Sequence, residues 1–184
     1  MRILALCGSL RLASRNLRAL QTARALAPVG VDVRIWEGLG RLPLFSPDLD
    51  RDDVALPLEV TCLHAEVESA DGLLIACPEY AHGIPGAFKN GLDWLVGSVV
   101  FPEKPIALLN IAPHATFAQA ALREVLATMS ADIVEEACCT VAFPPLERPD
   151  LEKAFEAVIQ SAVSVFSRAL ETRKADLPER ERDG

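Results

Sequence analysis

Apolar positions along this chain follow two periods. Three short runs are apolar at nearly every position: ILALC at 3–7, GLLIAC at 72–77 and PIALLNIA at 105–112. Such runs suit parallel strands covered on both faces. VDVRIW at 31–36 alternates like a half-buried strand, and ACCTVAF at 137–143 reads as a last strand. The stretches between them carry the helical period. From Ser14, one face holds Leu17, Leu20, Ala23 and Ala27, and Pro28-Val29-Gly30 ends the helix. Further helices are predicted over 58–69 and from Pro85 onward. Thr116 and Gln119 have capping-box spacing, and the helix behind them buries Ala118, Leu122, Val125 and Met129. Asp150 caps a long helix with Leu151, Phe155, Val158, Ala162, Phe166 and Leu170 along its face. Strand and helix alternate along the chain, which predicts an α/β fold: a three-layer, doubly wound, five-stranded parallel sheet. One domain is expected over 1–171, followed by a charged, flexible tail over 172–184.

Length and charge narrow the classes. The 184 residues suffice for one domain with a substantial core. A net charge of −8 disfavours nucleic-acid binding through a broad basic surface. It leaves room for a small anion site built from backbone N–H groups and an arginine. The five cysteines are an odd count, and Cys7, Cys77, Cys138 and Cys139 sit in or beside apolar runs. They read as reduced, packed thiols of a cytoplasmic protein rather than a disulfide framework. No stretch reaches membrane-spanning length, and no metal-ligand spacing is present. The acidic run with Asp48, Asp50, Asp52 and Asp53 reads as a solvated face, and His64 as structural or solvated.

In an open parallel sheet, ligands bind beyond the carboxyl ends of the strands. Three loops lie there. GSLRLASRN at 8–16 leaves a strand and enters a helix, so its N–H groups and the helix dipole favour an anion. It matches neither a Walker loop nor G-x-G-x-x-G. The second loop opens CPEYAHGIPGAFKNGLDWL at 77–95. Pro78 and Pro85 stiffen it, while Gly83 and Gly86 are expected to relax steric limits where a ligand or backbone approaches. Tyr80 is the chain's only tyrosine, Lys89 and Asp93 are spaced to pair, and Trp94 is assigned to the core. The third loop, NIAPHATF at 110–117, offers His114, Thr116 and backbone groups.

Together, G-S-x-R-x-x-S-x-N and P-E-Y-x-x-G-I-P-G-x-x-K-N-x-x-D-W resemble the NADPH-dependent FMN reductase family. The resemblance covers nearly the whole chain. It implies a flavodoxin-like fold with FMN as cofactor and NADPH or NADH as co-substrate. Ser9, Arg11, Ser14 and Asn16 would hold the FMN phosphate. Pro78, Glu79, Tyr80, Ala81, His82, Gly83 and Ile84 would line the ring and ribityl side, with Pro113 and His114 near the ring from the third loop. Many members have asparagine where this chain has Ala81. The implied reaction passes a hydride from nicotinamide to flavin, then electrons to a quinone-type, flavin or other small acceptor. Backbone N–H groups near Ile84 would stabilise charge on the reduced ring. No catalytic side chain is demanded, since the chemistry belongs to the cofactor. Such reductases assemble as homodimers or homotetramers, for which Tyr80, Lys89, Asp93 and the adjacent helix are a candidate face, while Phe88 and Leu92 fit either a core face or a dimer face. Two alternatives are a non-enzymatic FMN-binding electron carrier or sensor, and a phosphate-ligand or phosphoryl-transfer domain. The second lacks a visible Walker lysine or magnesium-binding acid.

Overall fold

A computed structural model describes residues 1–51, 53–145 and 148–176. Four strands form its parallel sheet: β1 (Arg2–Cys7), β2 (Asp32–Trp36), β3 (Gly72–Ala76) and β4 (Pro105–Asn110), in the order β2-β1-β3-β4. Ala5 pairs with Ile35 on one side and Leu74 on the other, and Leu74 pairs onward with Ala107. The fifth position is split. β5 (Asp132–Ile133) pairs with the start of β4 and β6 (Cys139–Thr140) with its end. A 3-10 turn, Glu135–Ala137, breaks the path between them. The predicted strand at 137–143 is thus two paired residues, extended by bonds from the N–H groups of Val141 to Asn110 and Phe143 to Ile111.

Alternation along β1 explains why the run is apolar throughout. Ile3 and Ala5 face α1 (Arg15–Ala25) and α5 (Pro149–Asp176), in a core with Leu20, Phe155 and Phe166. Leu4 and Leu6 face the other layer, α2 (Leu58–Glu68), α3 (Gly86–Val96) and α4 (Thr116–Thr128), in a core with Leu63, Phe88 and Leu122. Phe88 and Leu92 are therefore core residues and not an assembly face.

Several boundaries and faces differ from expectation. Leu151 and Val158 are exposed, because the buried stripe of α5 runs through Phe155, Ile159, Ala162, Val163, Phe166 and Leu170. Asp150 lies inside the first turn of α5 and pairs with Arg148 at 2.7 Å. The helix continues past Thr172 to Asp176, tied down by Arg173–Asp132 and Lys174–Asp71 pairs, each 2.7 Å. Residues 177–184 and Asp52 lie outside the described residues. The segment 37–57 holds two 3-10 turns, Leu39–Arg41 and Pro47–Leu49. Asn90 and Trp94 of α3 anchor it. The Asn90 Oδ1 accepts from the Phe45 N–H at 2.8 Å, while Asn90 Nδ2 and Trp94 Nε1 donate to the Pro43 carbonyl at 3.0 and 2.8 Å. His64 Nε2 lies 2.9 Å from the Trp94 carbonyl, a structural bond. The polar residues of α3 thus go to fold geometry, including the Lys89–Asp93 pair along its surface.

Candidate functional site

The loops after β1, β3 and β4 meet, with the end of β6, around a cleft of about 500 Å³. That volume is in the range of small-molecule sites, roughly 300–1,000 Å³. Ser9, Arg11, Ser14 and Asn16 line it from the first loop, Pro78, Glu79 and Tyr80 from the second, and Pro113 and His114 from the third. Ala81, His82, Gly83 and Ile84 are not among its lining residues. Arg15, Ala112 and Phe143 also line it, and sequence reasoning did not pick them. A signal existed for two. Arg15 is the first residue of α1, inside the first motif, and Phe143 follows the last strand at the same sheet edge.

The first loop leads into the start of α1. The Ser14 Oγ accepts from the Leu17 N–H at 3.3 Å and caps α1. The N–H groups of Arg15 and Asn16 lie at the helix start, where no intrahelical carbonyl reaches them. Arg11 and Arg15 bring positive charge to the same end, and the Arg15 guanidinium sits 5.5 Å from the centre of the Phe143 ring. Asn16 is 7% exposed, and its Oδ1 is buried without a protein partner. Buried polar atoms are normally hydrogen-bonded. The amide oxygen is one donor short.

Gly8 matters for space rather than for turn conformation. A Cβ there would stand 2.9 Å from the Cys77 Sγ and 3.1 Å from its Cα. The glycines of the second loop behave differently from expectation. A Cβ on Gly83 would come no closer than 3.8 Å to the Tyr80 carbonyl oxygen, and one on Gly86 would meet nothing within 4 Å. The left-handed positions are instead Ala81, with φ 49°, and His82, with φ 57°. They form the tip of a tight turn closed by two bonds: Tyr80 N–H to the Gly83 carbonyl at 3.1 Å, and Gly83 N–H to the Tyr80 carbonyl at 3.0 Å. Asparagine tolerates this conformation better than alanine, which gives a backbone reason for asparagine at the position of Ala81.

Side chains join the loops. Ser9 Oγ and the Tyr80 hydroxyl are 3.3 Å apart, linking first to second. The Glu79 Oε2 accepts from the Ala118 N–H at 2.9 Å, linking second to third. This bond corrects the expected capping box: α4 has Ala115 at its cap position, Thr116 is already helical, and Glu79 supplies the missing acceptor. In the third loop the Asn110 Oδ1 accepts from the Ala112 N–H at 3.1 Å.

The thiolate form of the cysteines near the strand ends is disfavoured by burial. Burial raises the Cys7 and Cys138 pKa values, pushes Cys77 up to about 12, helped by nearby Cys7, and pushes Cys139 to about 11, helped by Cys138. The described residues contain no cluster of three or more His, Cys, Asp or Glu that could hold a metal.

A family model described as NADPH-dependent FMN reductase matches residues 1–143. The chain belongs to this family. Among its relatives is a 2-hydroxy-1,4-benzoquinone reductase of Burkholderia sp, 36% identical over 140 residues, which are 73% of each chain. A quinone reductase of Escherichia coli K12 is 32% identical over 107 residues, 58% of this chain and 55% of that protein. The match thus spans about half the length of that relative. Among solved structures, FerB, a flavoenzyme NAD(P)H:(acceptor) oxidoreductase from Paracoccus denitrificans, superposes with a TM-score of 0.75 at 24% identity, covering 91% of this chain and 97% of that one. It shares the fold of this FMN reductase family member.

Proposed function

We propose that the cleft holds FMN and that the protein is an NAD(P)H-dependent oxidoreductase delivering electrons to quinone-type or other small acceptors. One observation carries the reading. A cationic helix start, with Arg11, Arg15 and an under-bonded Asn16, shares one cleft with the Tyr80 loop, in a chain of the FMN reductase family. Bound FMN would supply hydride acceptance from nicotinamide and electron transfer to the acceptor. The chain's own part is to bind and orient. Ser9, Arg11, Arg15, the Asn16 Nδ2 and the first N–H groups of α1 hold the phosphate. Pro78, Tyr80, Pro113 and His114 shape the ring side, with Tyr80, 52% exposed, at its rim. Ala81, His82, Gly83 and Ile84 serve that side as the turn behind Tyr80, with their backbone.

The relatives' names support quinone-type acceptors. Self-association as a homodimer or homotetramer is part of the same reading, and exposed Leu44, Val96 and Val99 are the apolar surface it would cover. Five free cysteines suit a reducing, cytoplasmic setting. Among the described residues no helix is long and apolar enough to cross a membrane.

The deciding experiment adds FMN to the purified protein, then NADPH and NADH in turn without oxygen. Quenched flavin fluorescence and bleaching of the yellow colour are expected. FMN that changes neither fluorescence nor melting temperature overturns the reading. Bound FMN with negligible nicotinamide oxidation would leave an electron carrier instead.

A further inference from the structure

We propose that Glu79 is a positioning residue that clasps the Tyr80 turn to the start of α4, so that the second and third loops of the cleft act as one body. The proposal rests on the cleft being a flavin site. It begins with a helix that cannot cap itself. Ala115 stands at the cap of α4 and has no side-chain oxygen, so the N–H of Ala118 must find an acceptor elsewhere. It finds Glu79 Oε2 at 2.9 Å, 39 residues away in sequence. A carboxylate is also the side chain that the helix dipole favours there.

The other carboxylate oxygen faces back into its own loop. Glu79 Oε1 lies 3.3 Å from His82 Nδ1, and the His82 ring meets Phe117 of α4 edge-on at 4.6 Å between centres. The Glu79 side chain is only 15% exposed, whereas that of His82 is 74% exposed, so the carboxylate is the inner member of the cluster. Between Glu79 and Gly83 the backbone takes two left-handed residues without a glycine, a conformation that persists only where its surroundings hold it. Glu79 and His82 grip that turn from both ends and attach it to α4. On the cleft side, Pro78 and Tyr80 belong to one wall and Pro113 and His114 to the other. The clasp sets the spacing of these walls, and it reaches the phosphate loop only through the Ser9–Tyr80 contact.

The test compares Glu79→Ala, Glu79→Gln and the unaltered protein. Hydrogen exchange is followed without flavin, and FMN and riboflavin affinities are taken from fluorescence titration. Glu79→Ala should speed exchange in both 78–84 and 114–118, and more there than in 8–18. It should weaken FMN and riboflavin by the same factor, roughly tenfold for one lost charge-assisted bond. Glu79→Gln keeps an acceptor for the Ala118 N–H and should restore most of both. Faster exchange in one segment only overturns the clasp, as does lower stability with unchanged affinity for both flavins, or a glutamine variant no better than alanine. If the unaltered protein binds no flavin, the functional reading fails while the exchange data still decide the clasp.

Discussion

At the amino ends of the strands lies a cleft of about 660 Å³, larger than the cleft of about 500 Å³ at the carboxyl ends. Most of the charges that line the larger one, though not Glu103 or Asp176, are already engaged. Asp71 accepts from the Arg2 N–H and from the Lys174 ammonium, both at 2.7 Å. Asp132 pairs with Arg173 at 2.7 Å, and the Lys104 ammonium donates to the Ala70 carbonyl at 3.0 Å. At the carboxyl ends, Asn16 Oδ1 has no partner, and no ion pair among the described residues holds Arg11 or Arg15. Left-handed residues do not separate the ends: Ala81 and His82 lie at this one, Glu103 and Ser130 at the other. Size does not separate them either. Uncommitted hydrogen-bonding capacity does, because folding alone rarely leaves a buried polar atom unmatched.

Paired substitutions test this contrast. Gly8→Ala and Gly72→Ala both force a Cβ into filled space, at 2.9 Å from Cys77 Sγ and 2.8 Å from the Phe166 ring. Each should cost about 1–3 kcal/mol in urea unfolding. Only Gly8→Ala should also weaken FMN, and equal effects on FMN would dissolve the distinction between the ends. Arg11→Ala should weaken FMN roughly 10- to 100-fold in fluorescence titration, the value of a charge-assisted contact, and leave riboflavin unchanged. Equal losses for the two ligands would remove Arg11 from the phosphate.

Smaller effects are expected from Asp71→Asn and Ala81→Asn. Burial works against the Asp71 carboxylate, but the Lys174 ammonium and the Arg2 N–H outweigh it and hold its pKa below 3.8. A depressed folded pKa means that the stabilisation is full above that value and is lost as pH falls through the folded pKa. Asp71→Asn should therefore cost about 1 kcal/mol at neutral pH. Its disadvantage should shrink in acid, as read by urea midpoints from pH 7 down to about 2. A constant gap would point to packing instead. Ala81→Asn relieves a left-handed alanine and should raise the melting temperature by about 1–3 °C. A fall would show that the turn is not strained.

The sheet was legible because each central strand is apolar along its whole length, and the first two cleft loops because their motifs follow those strands directly. Capping was not. Thr116 and Gln119 satisfy a local spacing, but the acceptor for Ala118 arrives through tertiary structure from Glu79, which no short-range pattern reveals. The same holds for Asn90 and Trp94: their polar atoms serve Pro43 and Phe45, far away in sequence. Glycine misled as well. Gly83 and Gly86 look like the conformational specialists of the second loop, yet Ala81 and His82 hold the left-handed positions. Val158 was misplaced because neighbouring Ile159 continues the buried stripe of α5 better.

The divided fifth strand closes one border of the sheet to strand addition. An uninterrupted border strand offers a row of free N–H and carbonyl groups that a neighbouring chain can extend. Here that border consists of two dipeptides separated by a 3-10 turn carrying Glu135 and Glu136. It is too short and too acidic to template another strand. Along this margin the sheet ends within one molecule.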